Sequence, residues 1–527
     1  GNLRIIDLGN QAIFTGDVIL EYHGDQSSGS ASQDLRASSG TFDLVVNCKA
    51  TTDTMLCNAS PNGLNDVTVT KGIFDPNSSA LTVAGKMTVG PDSGSDQAKF
   101  NAGASDCTIG SGKTDEAALH VRQGGEADLG TGDHTIGSLS VDNNANAKFT
   151  NTEGTLTING HTNDGTRSII VGGGSNCTAV TSGTRVTDLT YGSDALLTLI
   201  NQNAVYNLTI TGNATYRLKN HMFIGNDLTV TSGSSLKCQS SSSSGTHRNF
   251  TLGGDLLITG GTVDCEDAAT ITVGGGIKLD TGTLDGTSGS TIVSGVLSTG
   301  FIGMAVNNSG SSTFNHNNGT FQFDNSGETW ISSNITGADI TFKNLTINGN
   351  IYMNKTDIIV DNHLLINAGK KLRQYNSYNE LTVNGLCLVN GLLGVAGKTG
   401  DFQFATLEVA SGATFEAPDA NTTITTGGTV NGTSDTAFGG EGTFNANKGT
   451  LVLDSVFHRI PKGGTFNNVK MTGSHVTGGV YLFSDTMLPQ GIMPDGTTGS
   501  AYVSILGTLE ITDDEFRPYN ADKVYIH

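Results

Sequence analysis

Three features of these 527 residues predict an all-β chain, coiled as an elongated parallel β-solenoid (β-helix) with atypical N- and C-terminal β caps. The first is composition: 72 Gly stand against 8 Pro, with 15% charged and 36% apolar residues. Thr, Val and Ile recur beside Gly, Asn and Ser, the make-up of short strands joined by tight turns. The second is a unit that keeps returning: "LTITGNATY" from Leu208, "LTVTSGSSL" from Leu228, "LTINGNIYM" from Leu345, "LLINAGKKL" from Leu364, "LTVNGLCLV" from Leu381 and "LEVASGATF" from Leu407. The third is that no stretch keeps an i, i+3, i+4 apolar stripe for three turns, so helix has no support.

Within the unit, Leu228 and Val230 face one side of a strand and Thr229 the other. Ser232-Gly233 then supply a turn where positive φ is cheap, and Leu236, eight residues on from Leu228, opens the next strand. The same step of eight joins Leu208 to Tyr216, Leu345 to Met353, Leu364 to Leu372, Leu381 to Val389 and Leu407 to Phe415. Whole units follow at 20 residues (Leu208 to Leu228), 28 (to Leu256), 19 (Leu345 to Leu364), 17 (to Leu381) and 26 (to Leu407). Such spacings suit solenoid turns with loops of unequal length at the corners; Ser240–Ser244 would lie in one of them.

A longer pattern overlays this one. "FTNTEGTLTI" at Phe149, "FNHNNGTFQF" at Phe314 and "FNANKGTLVL" at Phe444 share Phe, four residues, Gly-Thr and an alternating apolar pair. After the last two come "TFKNLTING" at Thr341 and "TFNNVKMTG" at Thr465. No proline occurs between Asp92 and Ala417, as a ladder that uses nearly every N–H requires. The residue before the recurring Leu is often polar (Asn207, Asp227, Asp255, Asn344), and stacked on successive turns these would form a side-chain ladder at a corner. The chain therefore divides into an N-terminal capping or attachment region at 1–80, solenoid repeats at 81–480, and a C-terminal cap or assembly segment at 481–527. The last holds Pro489, Pro494 and Pro518, and both ends are expected to cover raw sheet edges.

A net charge of −21 and a pI near 4.7 repel phosphate backbones, and no Lys/Arg-rich stripe offsets them, so nucleic acid is not expected as a partner. No apolar run reaches membrane-spanning length and no signal peptide opens the chain; Gly1 in place of Met suits a processed or trimmed product. Seven cysteines (48, 57, 107, 177, 238, 265 and 387) include no CxxC pair, which leaves the usual zinc site without ligands. Cys48 and Cys57 could pair in an oxidising setting; most of the others read as small core residues.

Motifs that carry chemistry are weak. "CTIGSGKTDE" (Cys107–Glu116) offers Gly112, Lys113 and Thr114 of a phosphate loop, but Cys107 holds the first Gly position and no helix follows, so it reads as a solenoid turn. "PDSGSD" around Ser93 lacks a base and oxyanion donors, and the 11 His show no paired metal spacing. Calcium is conceivable but has no motif behind it: the nonapeptide of calcium-loaded β-rolls is absent, and "VGGGSN" at Val171 and "VGGGIKLD" at Val273 are Gly-rich corners. No cofactor is expected. Sequons at Asn207 and Asn213 matter only in a glycosylating host.

Glycosidase chemistry needs two carboxylates a few ångströms apart beside aromatic rings. Local acidic groups exist at Glu266/Asp267 and Asp513/Asp514/Glu515, yet the chain has 1 Trp and 6% aromatics. Glu328 and Trp330 in "SGETWISS" share one strand face and are the best sugar-contact candidates, set against Trp330 simply packing inside or between turns. Catalytic residues are not assigned.

Strings such as "TFKNLTINGN", "GTLTINGHT" and "GNDLTVTSGSSLKC" resemble the repeats of large β-solenoid proteins of virion surfaces, phage fibre- or spike-like, and of bacterial adhesin-like surface proteins. The likeness spans roughly residues 80–480, is one of style, and brings no catalytic motif. It implies a rigid extracellular or virion-surface part, trimeric in many phage examples. The expected function is accordingly a non-enzymatic structural or adhesive component of a virion, as fibre, spike or decoration. The alternative is a bacterial cell-surface adhesin or filament subunit, with a polysaccharide depolymerase third. Expected partners are further copies of the chain in a trimer or filament, other virion or surface proteins, and cell-surface glycans, without membrane insertion.

Overall fold

The structure is a computed structural model. It describes residues 41–57, 60–91, 97–111, 117–142, 147–149, 208–210, 221–238, 249–265, 270–307, 312–334, 336–425, 438–454, 465–470 and 505–510 with their side chains, and elsewhere chiefly strand backbone. Ser93, Gly112, Lys113, Thr114, Cys177, Asn213, Ser240–Ser244, Glu266, Asp267 and the acidic group at 513–515 lie outside the described residues. The described residues form strands, turns and bends with no helix, and the strands pair in parallel to build the predicted β-solenoid. One short antiparallel pair, Gly491–Ile492 with Thr498–Gly499, departs from this rule. Two compact units are distinguished, Gly1–Ala269 and Thr270–His527.

In the first unit, strands alternate inward and outward side chains, and like residues stack in register from turn to turn. Leu44, Val67, Met87, Leu119 and Leu139 form one inward column, every member essentially inaccessible. Leu208, Leu228 and Leu256 form another, as their repeated context predicts. The parallel ladder also takes in Asn2–Ile5, Val18–Tyr22 and Phe42–Asn47 before it reaches Leu64–Asp75. Phe74 and Phe100 stack with centroids 5.9 Å apart. Each turn buries only a few such side chains, about 1.5–3 kcal/mol apiece, so stability accrues along the stack.

In the second unit, Leu345 stacks on Leu364, Leu364 on Cys387, and Cys387 on Leu407. The spacing of Leu381 misleads here. That residue pairs with Ile358 one turn back and lies, with Val389, in a single bulged strand, Leu381–Val389. The bulge keeps both halves of the strand in the apolar interior without the tight turn of the other repeats. Phenylalanine rings fill the interior further on: Phe415 and Phe444 are in register with centroids 5.5 Å apart, and Phe466 follows at 5.4 Å from Phe444.

Several corners are closed by side chains of the preceding turn. Oδ1 of Asp43 accepts the N–H of Asp66 at 3.0 Å, and Oδ1 of Asp66 accepts that of Lys86 at 2.8 Å. The same bond joins Asp106 to Asp133 (2.9 Å), Asp227 to Asp255 (2.7 Å), Asp357 to Glu380 (2.7 Å) and Asp401 to Asn421 (2.9 Å). A corner N–H has left the strand ladder, and a carboxylate one turn back satisfies it with a charge-assisted bond. Two of the polar positions singled out in the sequence, Asp227 and Asp255, thus stack, and Asn344 accepts from Asn362 Nδ2 at 2.9 Å.

Two members of the Phe pattern, Phe314 and Phe444, share a corner device with Phe74, which lies outside the pattern. Asn77, Asn317 and Asn447 each lie three residues after a Phe with φ of 54°, 46° and 49°, the left-handed region that asparagine tolerates. Each donates Nδ2 to a carbonyl of the turn before: Cys57 at 3.3 Å, Gly286 at 2.9 Å and Ala417 at 2.7 Å. Gly103 takes the same place after Phe100 with φ of 61°. Cys48 and Cys57 are both buried and no bond joins them in this structure; each fills the core as a small apolar group.

Two outcomes follow. Asn447→Ala loses a side-chain bond and strains a left-handed backbone, whereas Asn447→Gly keeps the backbone relaxed. The Ala variant should therefore lose about 1–2 kcal/mol and the Gly variant less, as urea midpoints would read. His134, 2% exposed in the column Cys107–His134–Leu156, has its pKa pushed below the ordinary 6.5 first by burial, against the Leu129 carbonyl and the charges of Asp106 and Asp133. The unfolded chain then binds the proton more readily, so stability held above pH 6.5 falls as pH drops through 6.5 toward the lowered value. Melting curves of His134→Leu should lose that part of the pH dependence.

Candidate functional site

The second unit carries an aromatic patch built on three successive strands, Glu328–Ser333, Asn350–Asn354 and Lys371–Gln374. Alternation turns Thr329, Ile331, Ile351, Met353, Leu372 and Gln374 inward. It turns Glu328, Trp330, Tyr352 and Arg373 outward, with Trp330, Tyr352 and Arg373 aligned in register. Rings gather around Trp330: Tyr375 at 4.8 Å and Phe301 at 5.9 Å between centroids. Tyr352 meets Tyr375 edge-on at 6.1 Å. Phe301 and Tyr375 are 61% and 48% exposed, large values for rings that contribute nothing to the interior.

Polar groups are interleaved with the rings. Tyr352 Oη donates to Glu328 Oε1 at 3.1 Å, and Arg373 places Cζ 4.2 Å from the Tyr352 ring centroid with Nη2 3.6 Å from Glu328 Oε1. Burial, then the bond to Glu328, raises the phenol pKa of Tyr352, while Arg373 opposes the rise. Glu328 is 60% exposed, so the ion pair adds little stability, and its effect is to hold carboxylate, guanidinium and phenol in one arrangement.

The loop that follows Gln374 is fixed from beneath. Asn379, fully buried, donates Nδ2 to the Thr356 carbonyl at 2.8 Å and accepts the N–H of Asn376 at 3.1 Å. Gln374 Nε2 donates to the Asn379 carbonyl at 3.1 Å, and Lys398 Nζ to the Tyr375 carbonyl at 2.8 Å. Tyr375 and the 41% exposed Tyr378 therefore project from a loop held by buried amides. Such a surface offers apolar ring faces beside a carboxylate acceptor and guanidinium and phenol groups, a chemistry suited to amphipathic ligands.

Glu328 and Trp330, paired in the sequence reading, thus share the outward face of one strand, and Trp330 is half-buried between turns rather than inside the coil. Tyr352, Arg373 and Tyr375 were not found from sequence, because they join the site only through register across turns. One signal was there to read: Gln374 interrupts the apolar alternation in "KLRQYNSYNEL", a buried amide that marks a built loop.

A second acidic column runs through Asp339, Asp357, Glu380 and Asp401. The pKa values of Asp357 and Glu380 are raised, first by burial and then by neighbouring carboxylates, Asp339 for the one and Asp357, Asp401 and Asp339 for the other. Shifted carboxylates often mark catalysis, but Asp357 and Asp401 are committed to the N–H groups of Glu380 and Asn421 and serve as corner caps. Among the described residues no three of His, Cys, Asp and Glu are grouped to hold a metal ion, and no helix is long and apolar enough to cross a membrane.

Comparison of the chain with protein-family models, with curated proteins and with solved structures finds no match in any of the three.

Trp330 is the one tryptophan of the chain, so its fluorescence reports on this patch alone. Tyr375→Ala uncovers one side of the indole; its emission should move to the red and its quenching by acrylamide should rise, with the melting temperature nearly unchanged. An unshifted spectrum would contradict the stacking described.

Proposed function

We propose that the chain is a non-enzymatic structural and adhesive β-solenoid that presents the Trp330 patch to cell-surface glycans as part of a virion surface, in a fibre, spike or decoration. The observation that carries the binding half of this reading is the cluster of exposed Phe301 and Tyr375 around Trp330 beside Glu328 and Arg373. A pyranose ring has an apolar C–H face and a rim of hydroxyls. It would lay that face on Trp330 or Tyr375 and direct hydroxyls to the Glu328 carboxylate and the Arg373 guanidinium. The virion setting rests on the resemblance of the repeats alone. A bacterial cell-surface adhesin or filament subunit would use the same patch in the same way.

The solenoid supports such a role because it holds side chains from separate turns at fixed spacing without a folded pocket, and self-association into a trimer or filament would multiply weak contacts. Binding of the purified chain to an array of surface oligosaccharides, followed by titration of the Trp330 fluorescence, tests the reading. Trp330→Ala and Glu328→Gln should each weaken binding at least tenfold while leaving the fold intact by circular dichroism. Binding that survives both variants would remove the patch from the function, and release of reducing ends from the bound polysaccharide would replace adhesion by depolymerisation. Light scattering on the same sample, with and without EDTA, reports whether copies associate and whether a divalent cation is required.

A further inference from the structure

We propose that Cys238 and Cys265 are a disulfide-forming pair that staples two successive turns of the 1–269 unit when the protein meets an oxidising environment. Their sulfurs lie 3.1 Å apart and both side chains are buried. The backbone has already brought them together. Ser235, Leu236 and Lys237 pair in register with Thr262, Val263 and Asp264, and the N–H of Cys238 donates to the Asp264 carbonyl at 2.8 Å. Lys237 Nζ and Asp264 Oδ2, 2.9 Å apart, clamp the same ends from outside. Parallel neighbours in register stand about 4.8 Å apart, within the Cα range of disulfides. The sulfurs need to close by only about 1 Å to reach bonding distance, a shift that side-chain rotation at a strand end supplies.

Three other thiols are poorly poised to compete in the folded chain. Burial is the first cause that pushes Cys48 up to about 11 and Cys107 up to about 12, and it raises Cys387 as well, so these three stay protonated. The oxidant is a low-molecular-weight disulfide of the glutathione class. A thiolate of one cysteine attacks it, forming a mixed disulfide and releasing one small thiol. The second cysteine, as thiolate, then attacks the protein sulfur of that mixed disulfide and releases the other small thiol. Two protein thiols are oxidised and one small disulfide is reduced to two thiols. Because both sulfurs are covered, exchange proceeds while the turns stack during folding or during local opening of the strand ends.

The staple closes a loop between residues 27 apart and spans the junction between one turn and the next, where a solenoid is held only by its neighbours. The test is independent of the glycan reading. The chain is purified under reductant, then exposed to oxidised glutathione both as native protein and during refolding from urea. Denatured thiol titration should show two of the seven cysteines consumed in at least one of these treatments. Peptide mass spectrometry without reduction should find the Cys238–Cys265 cross-link. The oxidised protein should melt roughly 5–10 °C above the reduced one. Cys238→Ser should abolish the link and the rise together, and Cys107→Ser should leave both. Failure to consume thiols under both treatments, a link between other cysteines, or a linked protein that melts no higher than the reduced form would overturn the proposal.

Discussion

Everything in this protein depends on each turn lying in register on the one before. A parallel strand cannot satisfy its own N–H and C=O groups, so a strand borrows partners from the neighbouring turns. Register then decides which side chains meet: Leu44 rests on Val67 and Val67 on Met87, while Trp330 rests on Tyr352 and Tyr352 on Arg373. Interior and surface are read from the same ladder. Where that ladder turns a corner, a carboxylate or an asparagine amide replaces the lost backbone partner, so the acidity of the chain is partly architectural.

The patch around Trp330 follows from the same constraint. Its residues come from stretches separated by about twenty positions or more, and no local motif joins them. Strand register aligns Trp330 with Tyr352 and Arg373, while the buried amides of Gln374 and Asn379 set the height of Tyr375 above the sheet. A surface assembled this way is preorganised. The rings are held in place by the fold itself, so a ligand that used them would meet a low ordering cost.

Much of the fold was legible because the physical signal is repetitive. Alternation places Leu228 and Val230 inside, and the returning Leu marks the same point of successive turns, as Leu208, Leu228 and Leu256 do. Legibility failed where spacing was taken for register: Leu381 has the right neighbours but pairs with Ile358, since a bulge absorbs the difference. At Phe314 and Phe444 the Phe pattern was visible without its reason, which is the left-handed asparagine three residues on; Phe149 is followed there by Thr152, within one continuous strand. In the patch, Glu328 and Trp330 could be paired because they share a strand. Tyr352, Arg373 and Tyr375 could not, because their proximity is decided between turns.

The corner bond has a direction. In the six carboxylate bonds described from Asp43 to Asp401 the acceptor belongs to the earlier turn and the N–H to the later one; Gln123 and Lys355, whose N–H groups reach Asp142 and Asn376 of the following turn, run the other way. Each turn therefore carries a matching lower and upper surface, like one link of a chain. A whole turn can be duplicated or lost in descent and the join will close with the same bond, whereas a fraction of a turn leaves an acceptor facing the wrong residue. The unit in which such a sequence can lengthen or shorten is the turn itself, about 20–28 residues between the partners of these bonds.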